Sequence, residues 1–599
     1  MGLQDYWGVG PKTAERLRDA LGTEAAVAAI ESADVRALVD AGVAPGRAVR
    51  ILRRATGEAA MDLFGTPDAR DVYDDLLTLA GEHALTRHAR DRIRVLTPLP
   101  DRESREDRLD GVLGARDAWA ALDDDARAAV LDAFETYDEA DETPRAAVAC
   151  ALALREAGLG GETFPALADL EADALADAAD ALGAVAGGLD ALDRDPEDLT
   201  VGEGADAELD RLRERLAAAE GLAADALDVL ETIRSGGVRG LDDLRAAFVE
   251  HVADRTGVPP ATVRAATADD AADAADFAST SLRGLVEDLE ERVAEREASV
   301  ATDIAATLDG AAADVRAAVD AVDDAAVRLS LARFADAYDL RRPTFVADGL
   351  AVEGAHNPFL LADGESVQPV DYAVGNHDLS PPTGDRVTVL TGANSGGKTT
   401  LLETLCAVTV LAAMGLPVPA ERAAVGRIDA VVFHRRHASF NAGVLESTLR
   451  SVVPPLTTGG RTLMLVDEFE AITEPGRAAD LLNGLVELTV GREALGVYVT
   501  HLADDLSPLP EPARVDGIFA EGLTEDLDLR VDYQPRFGEL GRSTPEFIVS
   551  RLVANAEDTA ERRGFEALAA AVGEEAVQRT LDDVRWSEGA AGTGSESGP

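Results

Sequence analysis

Residues 392–399 of this 599-residue chain match the pattern G-x-x-x-x-G-K-T. A β-branched apolar run at residues 386–390 precedes the pattern, and a run with helical character at residues 400–414 follows it. In this strand–loop–helix context, loop N–H groups surround phosphate oxygens, the lysine reaches the β- and γ-phosphates, and the threonine hydroxyl binds Mg²⁺. The pattern therefore predicts an α/β domain that binds a nucleoside triphosphate. The predicted phosphate-binding residues are Gly392, Ala393, Asn394, Ser395, Gly396, Gly397, Lys398, Thr399 and Thr400.

Lysine is nearly absent from the rest of the chain. Of the 56 basic residues, only Lys12 and Lys398 are lysines, and each lies in a glycine-flanked segment. A compact ammonium group suits contact with a phosphate oxygen, whereas arginine serves the other basic positions. Lys12 therefore marks a second candidate phosphate-binding segment.

The formal net charge is −56, from 112 acidic and 56 basic residues. Taken alone, this charge argues against a nucleic-acid partner, because phosphate backbones repel it. Scarce lysine, abundant alanine and aspartate, and only 4% aromatic residues are also typical of a halophilic proteome. Concentrated salt shortens the Debye length to a few ångströms, so local geometry would then decide binding. We favour this second interpretation.

Residues 1–55 differ from the rest in charge, because eight basic and seven acidic side chains give a net of +1. Two turns, at residues 7–13 and 41–46, each precede a helical stretch, and their glycines allow N–H groups to face an anion at a helix N-terminus. This spacing resembles the helix-hairpin-helix DNA-binding family; a helical protein-docking module is the alternative. The candidate DNA-binding residues are Gly8, Gly10, Lys12, Gly42, Arg47 and Arg50, and Arg53 and Arg54 continue the basic row.

The remaining chain divides by pattern. Residues 56–345 are alanine-rich with heptad-like stripes, which predict long antiparallel helices interrupted near residues 256–260 by a loop or small inserted unit. A passive coiled-coil spacer is the alternative for this region. Residues 346–550 alternate short β-branched runs with helical stretches, which is typical of an α/β domain around a central sheet. A helical segment at residues 551–588 and a disordered tail at residues 589–599 follow.

The cellular location can also be predicted from composition. Cys150 and Cys406 lack metal-ligand spacing and indicate no disulfide framework, which favours a reducing cytoplasm. The first residues lack the charged and apolar regions of a signal peptide. The uncharged run at residues 404–420 is broken at residues 415–417, so we expect a buried helix and no membrane partner.

Two further segments carry candidate catalytic residues. An apolar strand at residues 463–466 ends in Asp467 and Glu468, which suit a Mg²⁺ ligand and a general base that polarises the attacking water. A second strand, at residues 497–500, ends in His501, which could sense the γ-phosphate or orient the water. An acidic pair after a strand is weak evidence of a catalytic site by itself, and it becomes strong evidence downstream of a phosphate loop.

Together these motifs resemble the MutS family of DNA-repair ATPases. The resemblance covers about residues 200–550 and is strongest over 390–505. Its matching segments are residues 327–334, 342–345, 356–358, 392–402, 416–420, 426–429, 467–468, 473–476 and 500–502. It implies a multidomain fold with an N-terminal helix-hairpin-helix module, a long all-α core and lever region, and a C-terminal α/β P-loop ATPase domain with a helical tail. A clamp insertion would lie near residues 235–280, and the segment at residues 551–588 would serve dimerisation.

The resemblance also assigns roles to single residues. Lys398, Glu468 and His501 match catalytic positions, and Thr399 and Asp467 match the Mg²⁺ ligands. Asn376 falls at a place expected to contact the nucleotide base. Ser439 or Asn441 would contact the nucleotide of the partner subunit in trans, although the amino-acid sequence of that loop differs from the family's.

The expected function is that of a homodimeric ATPase with ATP and Mg²⁺ as cofactors and DNA as partner, bound non-specifically or by structure. The absence of the family's Phe-x-Glu mismatch-reading domain makes the chain most similar to the archaeal second branch of MutS-like proteins, acting in DNA repair or recombination near the nucleoid. Two alternatives are a mismatch-recognising repair initiator and a non-enzymatic DNA-bridging protein with a structural nucleotide site.

Overall fold

The structure is a computed structural model that describes residues 2–57, 60–185, 199–238, 241–392, 397–435, 442–457, 459–468, 475–506, 508–523, 529–541, 545–556 and 558–572. The chain forms two compact units, one of Met1–Ala121 with Ala326–Pro599 and one of Leu122–Ala325. Residues 56–345, expected to form one helical region, are therefore divided between the two units. No helix in the described ranges is both long enough and apolar enough to cross a membrane. The expected tail at residues 589–599 lies outside the described residues.

Four short helices make up the N-terminal module, residues 2–57: α1 (Pro11–Leu21), α2 (Thr23–Glu31), α3 (Val35–Asp40) and α4 (Pro45–Gly57). Proline at the first position of α1 and of α4 supplies a φ suited to helix initiation without losing a hydrogen bond. Gly22 ends α1 with φ +81°. The Asp34 side chain begins α3 by accepting a hydrogen bond from the N–H of Ala37. The four helices share one apolar core, whose buried members include Leu17, Ile30, Leu38, Ala48 and Leu52.

The next three helices of the same unit are α5 (Pro67–Glu82), α6 (Arg87–Arg94) and α7 (Arg102–Ala121). The second unit contains α8 (Asp124–Glu139), α9 (Pro144–Glu156), α10 (Pro165–Ala168), α11 (Ala172–Gly183), α12 (Ala207–Ala224), α13 (Ala226–Ser235), α14 (Leu241–Thr256), α15 (Pro260–Ala265) and most of α16 (Ala274–Ala337). The apolar stripe at residues 282–322 lies on α16, which is 64 residues long. The stretch at residues 235–280 shares an apolar core with α12, α13 and the start of α16.

The first unit also contains two β-sheets. Their strands are β1 (Thr344–Val346), β2 (Leu350–Ala355), β3 (Val370–Val374), β4 (Val387–Gly392), β5 (Arg422–Gly426), β6 (Ala430–His434), β7 (Thr462–Val466), β8 (Leu495–Val499), β9 (Ala513–Leu523) and β10 (Leu529–Phe537). Six strands form the larger sheet in the order β10-β9-β4-β8-β7-β6, in which β10 runs antiparallel to β9 and the other pairs are parallel. The smaller sheet has the order β1-β5-β2-β3.

The helices around these sheets are α17 (Pro358–Ala362), α18 (Lys398–Ala413), α19 (Ala442–Thr457), α20 (Pro475–Gly491), α21 (Pro545–Asn555) and α22 (Thr559–Val572). Strands β4, β7 and β8 are buried along their whole lengths, as expected for parallel strands covered on both faces. Strands β4, β7 and β8 overlap the apolar runs predicted at residues 386–390, 463–466 and 497–500. The smaller sheet was not anticipated, because strands such as β2 mix apolar residues with glycine and glutamate and give no clear alternation.

A segment before α5 covers the β6 edge of the larger sheet. Phe64 forms a parallel bridge with Val431, and the N–H of Gly65 donates to the carbonyl of Val431 at 2.9 Å. The hydroxyl of Thr66 donates to the carbonyl of Phe433 at 2.6 Å and accepts from the N–H of Phe433 at 3.1 Å. The Thr66 side chain therefore substitutes for strand backbone at this edge.

The N-terminal module packs on α5 and α6 through Arg53 of α4. The guanidinium of Arg53 lies 2.6 Å from the carboxylate of Asp74, lies 4.7 Å from the ring centre of Tyr73, and donates to the carbonyl of Arg94 at 2.9 Å. Val95 also joins the core of the module. Arg53, expected to extend a basic row towards DNA, therefore serves packing instead.

Candidate functional site

The glycine-rich loop joins the C-terminal end of β4 to the N-terminal end of α18. Gly392 has φ +128°, and a Cβ atom there would lie 2.0 Å from the carbonyl oxygen of Ile518. Gly397 has φ +71°, and a Cβ atom there would lie 2.8 Å from the ring of Tyr533. Both loop ends therefore require glycine. Four predicted loop residues lie outside the described ranges: Ala393, Asn394, Ser395 and Gly396.

The described residues of this loop meet the end of β7. The ammonium group of Lys398, which is 5% exposed, donates to the carbonyl of Gly392 at 3.2 Å. The hydroxyl of Thr399 lies 2.5 Å from Oδ2 of Asp467, which is itself 2% exposed. The N–H of Asp467 donates to the carbonyl of His434 at the end of β6. Residues far apart in the sequence therefore meet because parallel strands present their carboxyl ends at one sheet edge.

The residue after Asp467 contacts the end of the neighbouring strand β8. Glu468 has φ +39°, and its N–H donates to the carbonyl of Val499 at 3.1 Å. Its Oε1 atom lies 3.1 Å from Nε2 of His501. The N–H of Thr500 donates to the carbonyl of Leu390, which attaches the turn carrying His501 to β4. The structure thus brings together Glu468 and His501, two of the candidate catalytic residues.

A cavity of about 540 Å³ lies over this edge. Lys398, Thr399, Thr400 and Glu468 form one part of its wall. The lining also contains residues that no sequence motif indicated, and these are Asn357, Leu360, Glu365, Ser366, Val367, Gln368, Val370 and Tyr533. This size lies within the range of small-molecule sites.

Two glutamine side chains hold together the part of the cavity lining that is formed near β3 and by β10. The amide of Gln368 donates to Oδ1 of Asp532 at 2.9 Å and accepts from the N–H of Tyr533 at 3.2 Å. The amide of Gln534 likewise accepts from the N–H of Asp371 at 2.8 Å and donates to its carbonyl at 3.0 Å. The loop before β3 is therefore attached to β10. No motif in the sequence of β10 distinguishes Tyr533 as a lining residue.

Asn357 connects the cavity to the N-terminal part of the chain. Its side-chain oxygen accepts from two N–H groups at the start of α17, and its amide nitrogen donates to Glu403 of α18 at 2.9 Å. Glu403 also pairs with the guanidinium of Arg435. The N–H of Arg435 donates to Oδ2 of Asp68, near the start of α5, at 2.7 Å. A continuous polar chain therefore runs from the cavity wall to the helix on which the N-terminal module packs.

The structure places Asn376 away from the cavity. Its side-chain amide lies 3.3 Å from Oδ2 of Asp348, which pairs with Arg386 at 2.6 Å. The arginine hydrogen bonds help hold the pKa of Asp348 below its usual value despite partial burial. Asn376 therefore serves this ion pair in the structure. Ser439 and Asn441 lie outside the described residues.

The oxygen atoms of Thr399 and Asp467 fit a magnesium ion. Mg²⁺ is usually held by one or two protein oxygens together with phosphate oxygens and water. Within the described ranges, no group of three or more His, Cys, Asp or Glu residues is arranged as a metal site. A hydroxyl and a buried carboxylate beside a phosphate-binding loop do not need such a group, because the nucleotide supplies the remaining ligands.

The candidate DNA-binding residues of the N-terminal module lie at two linked turns. Gly8 and Gly42 have φ +79° and +84°, values that favour glycine. Arg47 donates to the carbonyl of Gly8 at 2.9 Å, and Arg16 donates to the carbonyl of Gly42 at 2.7 Å. The helix after each turn therefore bonds to the other turn. Gly10 caps α1, Lys12 is exposed in its first turn, and Arg50 donates to the carbonyl of Gly46.

Comparison with known proteins gives several partial matches. The chain is 44% identical over 213 residues to the DNA-binding protein MutS2 of Pyrococcus furiosus, covering 35% of this chain and 37% of that protein. It is 29% identical over 280 residues to the DNA mismatch repair protein MutS of Natronomonas pharaonis, covering 43% and 30% respectively. It is 32% identical over 174 residues to the Endonuclease MutS2 of Thermus thermophilus, covering 28% and 23%.

The chain thus spans well under half the length of each of these curated relatives. No protein-family model matches it. The matches nevertheless agree with one another and with the assembled phosphate loop, acidic pair and histidine. In the matched regions the chain is therefore similar to proteins of the MutS family, MutS2 among them.

Proposed function

We propose that this protein is a Mg²⁺-dependent ATPase of the MutS type that binds DNA non-specifically or by structure, in DNA repair or recombination. The observation that carries the proposal is the 2.5 Å contact between Thr399 and Asp467, with Glu468 lining the cavity beside them and His501 in contact with Glu468. Nucleotide binding alone requires neither Glu468 nor His501, so their presence favours hydrolysis over a structural nucleotide site. The names of the relatives, which refer to DNA binding and DNA mismatch repair, support the nucleic-acid part.

Each residue of the site has a role in this proposal. Lys398 and the loop N–H groups bind the phosphates, and Thr399 and Asp467 hold Mg²⁺, which neutralises charge on the phosphate oxygens when bound. Glu468 accepts a proton from the attacking water. His501 holds the Glu468 carboxylate in position. Tyr533 and the loop at residues 365–368 enclose the remainder of the nucleotide.

The assembly we propose is a homodimer in which Ser439 or Asn441 contacts the nucleotide of the partner subunit. In this assembly the N-terminal module, with the helix-hairpin-helix residues Gly8, Gly10, Lys12, Gly42, Arg47 and Arg50, contacts DNA phosphates. The helices of the second unit serve as core and lever, and residues 235–280 as a clamp. The acidic surface suits a halophilic cytoplasm, in which the protein would lie at the nucleoid.

ATP hydrolysis measured in molar potassium chloride, with and without duplex or branched DNA, tests this proposal. We expect Mg²⁺-dependent turnover that DNA changes, and DNA binding by the unmodified chain. Lys398→Ala should abolish nucleotide binding, because the ammonium group is lost from the phosphate site. Turnover that persists in Lys398→Ala would contradict the site, and a chain indifferent to every DNA tested would remove the nucleic-acid part.

A further inference from the structure

The turn that precedes α1 carries an exposed tryptophan. Trp7 is 48% exposed, whereas the other large apolar side chains around it, Leu3, Tyr6 and Val9, are at most 8% exposed. Trp7 immediately precedes Gly8, whose carbonyl accepts a hydrogen bond from Arg47. The ring therefore stands beside the turn to which we assign phosphate contact, outside the apolar core of the module.

The second turn shows that the fold does not need an aromatic residue at this place. Residues 8–11 and 42–45 share the pattern G-V-x-P, and both glycines have left-handed φ values. Ala41 occupies the position that corresponds to Trp7, and it is 5% exposed. Two turns of the same geometry thus carry a small buried residue in one case and a large exposed one in the other. Packing does not account for Trp7.

Basic side chains surround the exposed ring of Trp7, as they do at sites where a planar nucleobase stacks. The guanidinium carbon of Arg54 lies 5.2 Å from the centre of the Trp7 ring, which fixes the ring and places positive charge beside it. Lys12 and Arg47 are exposed nearby in the module. Aromatic rings and arginine planes are the groups on which unpaired nucleobases stack, while backbone N–H groups and cations hold the adjoining phosphates.

We propose that Trp7 stacks on an unpaired nucleobase, so that the N-terminal module prefers DNA with a single-stranded arm, end or junction over a continuous duplex. This inference rests on the proposed DNA-binding function and specifies the DNA structure. Bases inside a duplex are already stacked on both faces and offer no free surface to the ring. Phosphate contacts weaken steeply in concentrated salt, whereas stacking does not depend on counterion release. A salt-rich medium therefore increases the share of binding that Trp7 supplies.

The test compares the full chain with Trp7→Ala and Trp7→Phe on two DNAs of equal length, a perfect duplex and a fork with one single-stranded arm. We expect the unmodified chain to bind the fork more tightly, and Trp7→Ala to lose about fivefold or more of that affinity with little change on the duplex. Trp7→Phe should retain most of the preference, because a smaller ring still stacks. Leu227→Ala, which removes another exposed apolar side chain (68% exposed), is the matched control and should bind as the unmodified chain does.

Fluorescence provides a second readout that does not depend on the alanine variant folding normally. The chain has three tryptophans, and Trp7 is the one in the N-terminal module. Single-stranded oligonucleotide should quench part of the tryptophan emission of the unmodified chain, and Trp7→Phe should lose that quenching. An equal preference for the fork in Trp7→Ala and the unmodified chain, or quenching that survives Trp7→Phe, would overturn the assignment of Trp7 while the proposed function stands. Failure of the unmodified chain to bind either DNA would instead overturn the proposed function.

Discussion

Nε2 of His501 lies 3.1 Å from Oε1 of Glu468. The two residues follow neighbouring parallel strands, β8 and β7, whose carboxyl ends meet beside the phosphate loop. The N–H of Glu468 donates to the last residue of β8, so the backbone that carries the carboxylate is attached to the strand that carries the histidine. These two contacts hold the Glu468 carboxylate in a single orientation at the cavity.

Replacement of Glu468 by glutamine should separate binding from hydrolysis. We expect a fall in turnover of about a hundredfold or more, because the residue would no longer accept a proton from water. ATP binding should remain, since the phosphate contacts of the loop are unchanged. Single-turnover kinetics and a fluorescent-nucleotide titration measure the two effects. Glu487→Gln, an exposed position on α20, is the control and should hydrolyse ATP normally. Normal turnover in Glu468→Gln would contradict the proposed base.

Gly397→Ala should abolish nucleotide binding while leaving most of the fold intact. The new Cβ atom would lie 2.8 Å from the Tyr533 ring at a φ of +71°, so the loop and the cavity wall would have to move apart. The left-handed conformation adds a cost of about 1–2 kcal/mol for a residue with a side chain. Nucleotide-dependent stabilisation in thermal unfolding measures the result, and we expect none.

Gly484→Ala is the matched control for that change. Gly484 lies inside α20, and a Cβ atom there meets nothing within 4 Å. This variant should bind nucleotide normally and gain about 0.4–1 kcal/mol of stability, because alanine loses less backbone entropy on folding. Equal nucleotide binding by both glycine variants would show that the loop ends are not constrained as described.

Arg435→Ala should weaken ATP binding through the polar chain that ends at Asn357. The change removes the cation paired with Glu403, which lies on the same helix as Lys398 and also holds the Asn357 amide. We expect a loss of about tenfold in affinity, the order of one charge-assisted hydrogen bond. Nucleotide titration measures the loss.

A second substitution distinguishes charge from simple loss of packing. Arg435→Ala combined with Glu403→Gln should recover part of the affinity, because no unpaired carboxylate then remains on α18. Arg450→Ala, which breaks an exposed pair with Glu446 on α19, should have little effect. Additive losses in the double variant would argue against coupling between Arg435 and Glu403.

Both cysteines should be inert in the folded protein. Burial raises the pKa of the Cys150 thiol to about 12 and also raises the pKa of the Cys406 thiol on α18. Since the thiolate is the reactive form, a thiol reagent at pH 8 should modify neither residue until the protein unfolds. Rapid labelling of the native protein would contradict the burial of these groups.

The same pKa values predict a loss of stability in alkali. Below pH 9 the thiols are protonated in both the folded and the unfolded state, so they add no pH dependence. Above pH 9 the unfolded state releases protons that the folded state keeps, so stability falls as the pH rises towards about 12. Denaturant titrations at pH 8 and pH 10 measure this change, and Cys150→Ala should reduce it.

The sequence predicted the phosphate loop, the acidic pair and His501 because each is a short motif attached to a recognisable buried strand. Parallel strand ends must then meet, so the motifs could be placed together without a structure. The cavity wall could not be predicted in this way. Gln368 and Tyr533 meet across 165 residues of sequence, and neither lies in a motif. For Asn376 the sequence position suggested contact with the nucleotide base, whereas its side-chain amide lies beside Asp348 in the structure.

The position of Thr66 at the β6 edge of the larger sheet limits how the protein can be truncated. A fragment that begins at residue 326 would leave the backbone groups of Val431 and Phe433 without these hydrogen-bond partners. It would also expose the apolar side of α18 on which α5 packs. Such a fragment would be prone to self-association through that rim. A fragment that begins at residue 326 therefore also needs the segment at residues 64–82, which makes these contacts.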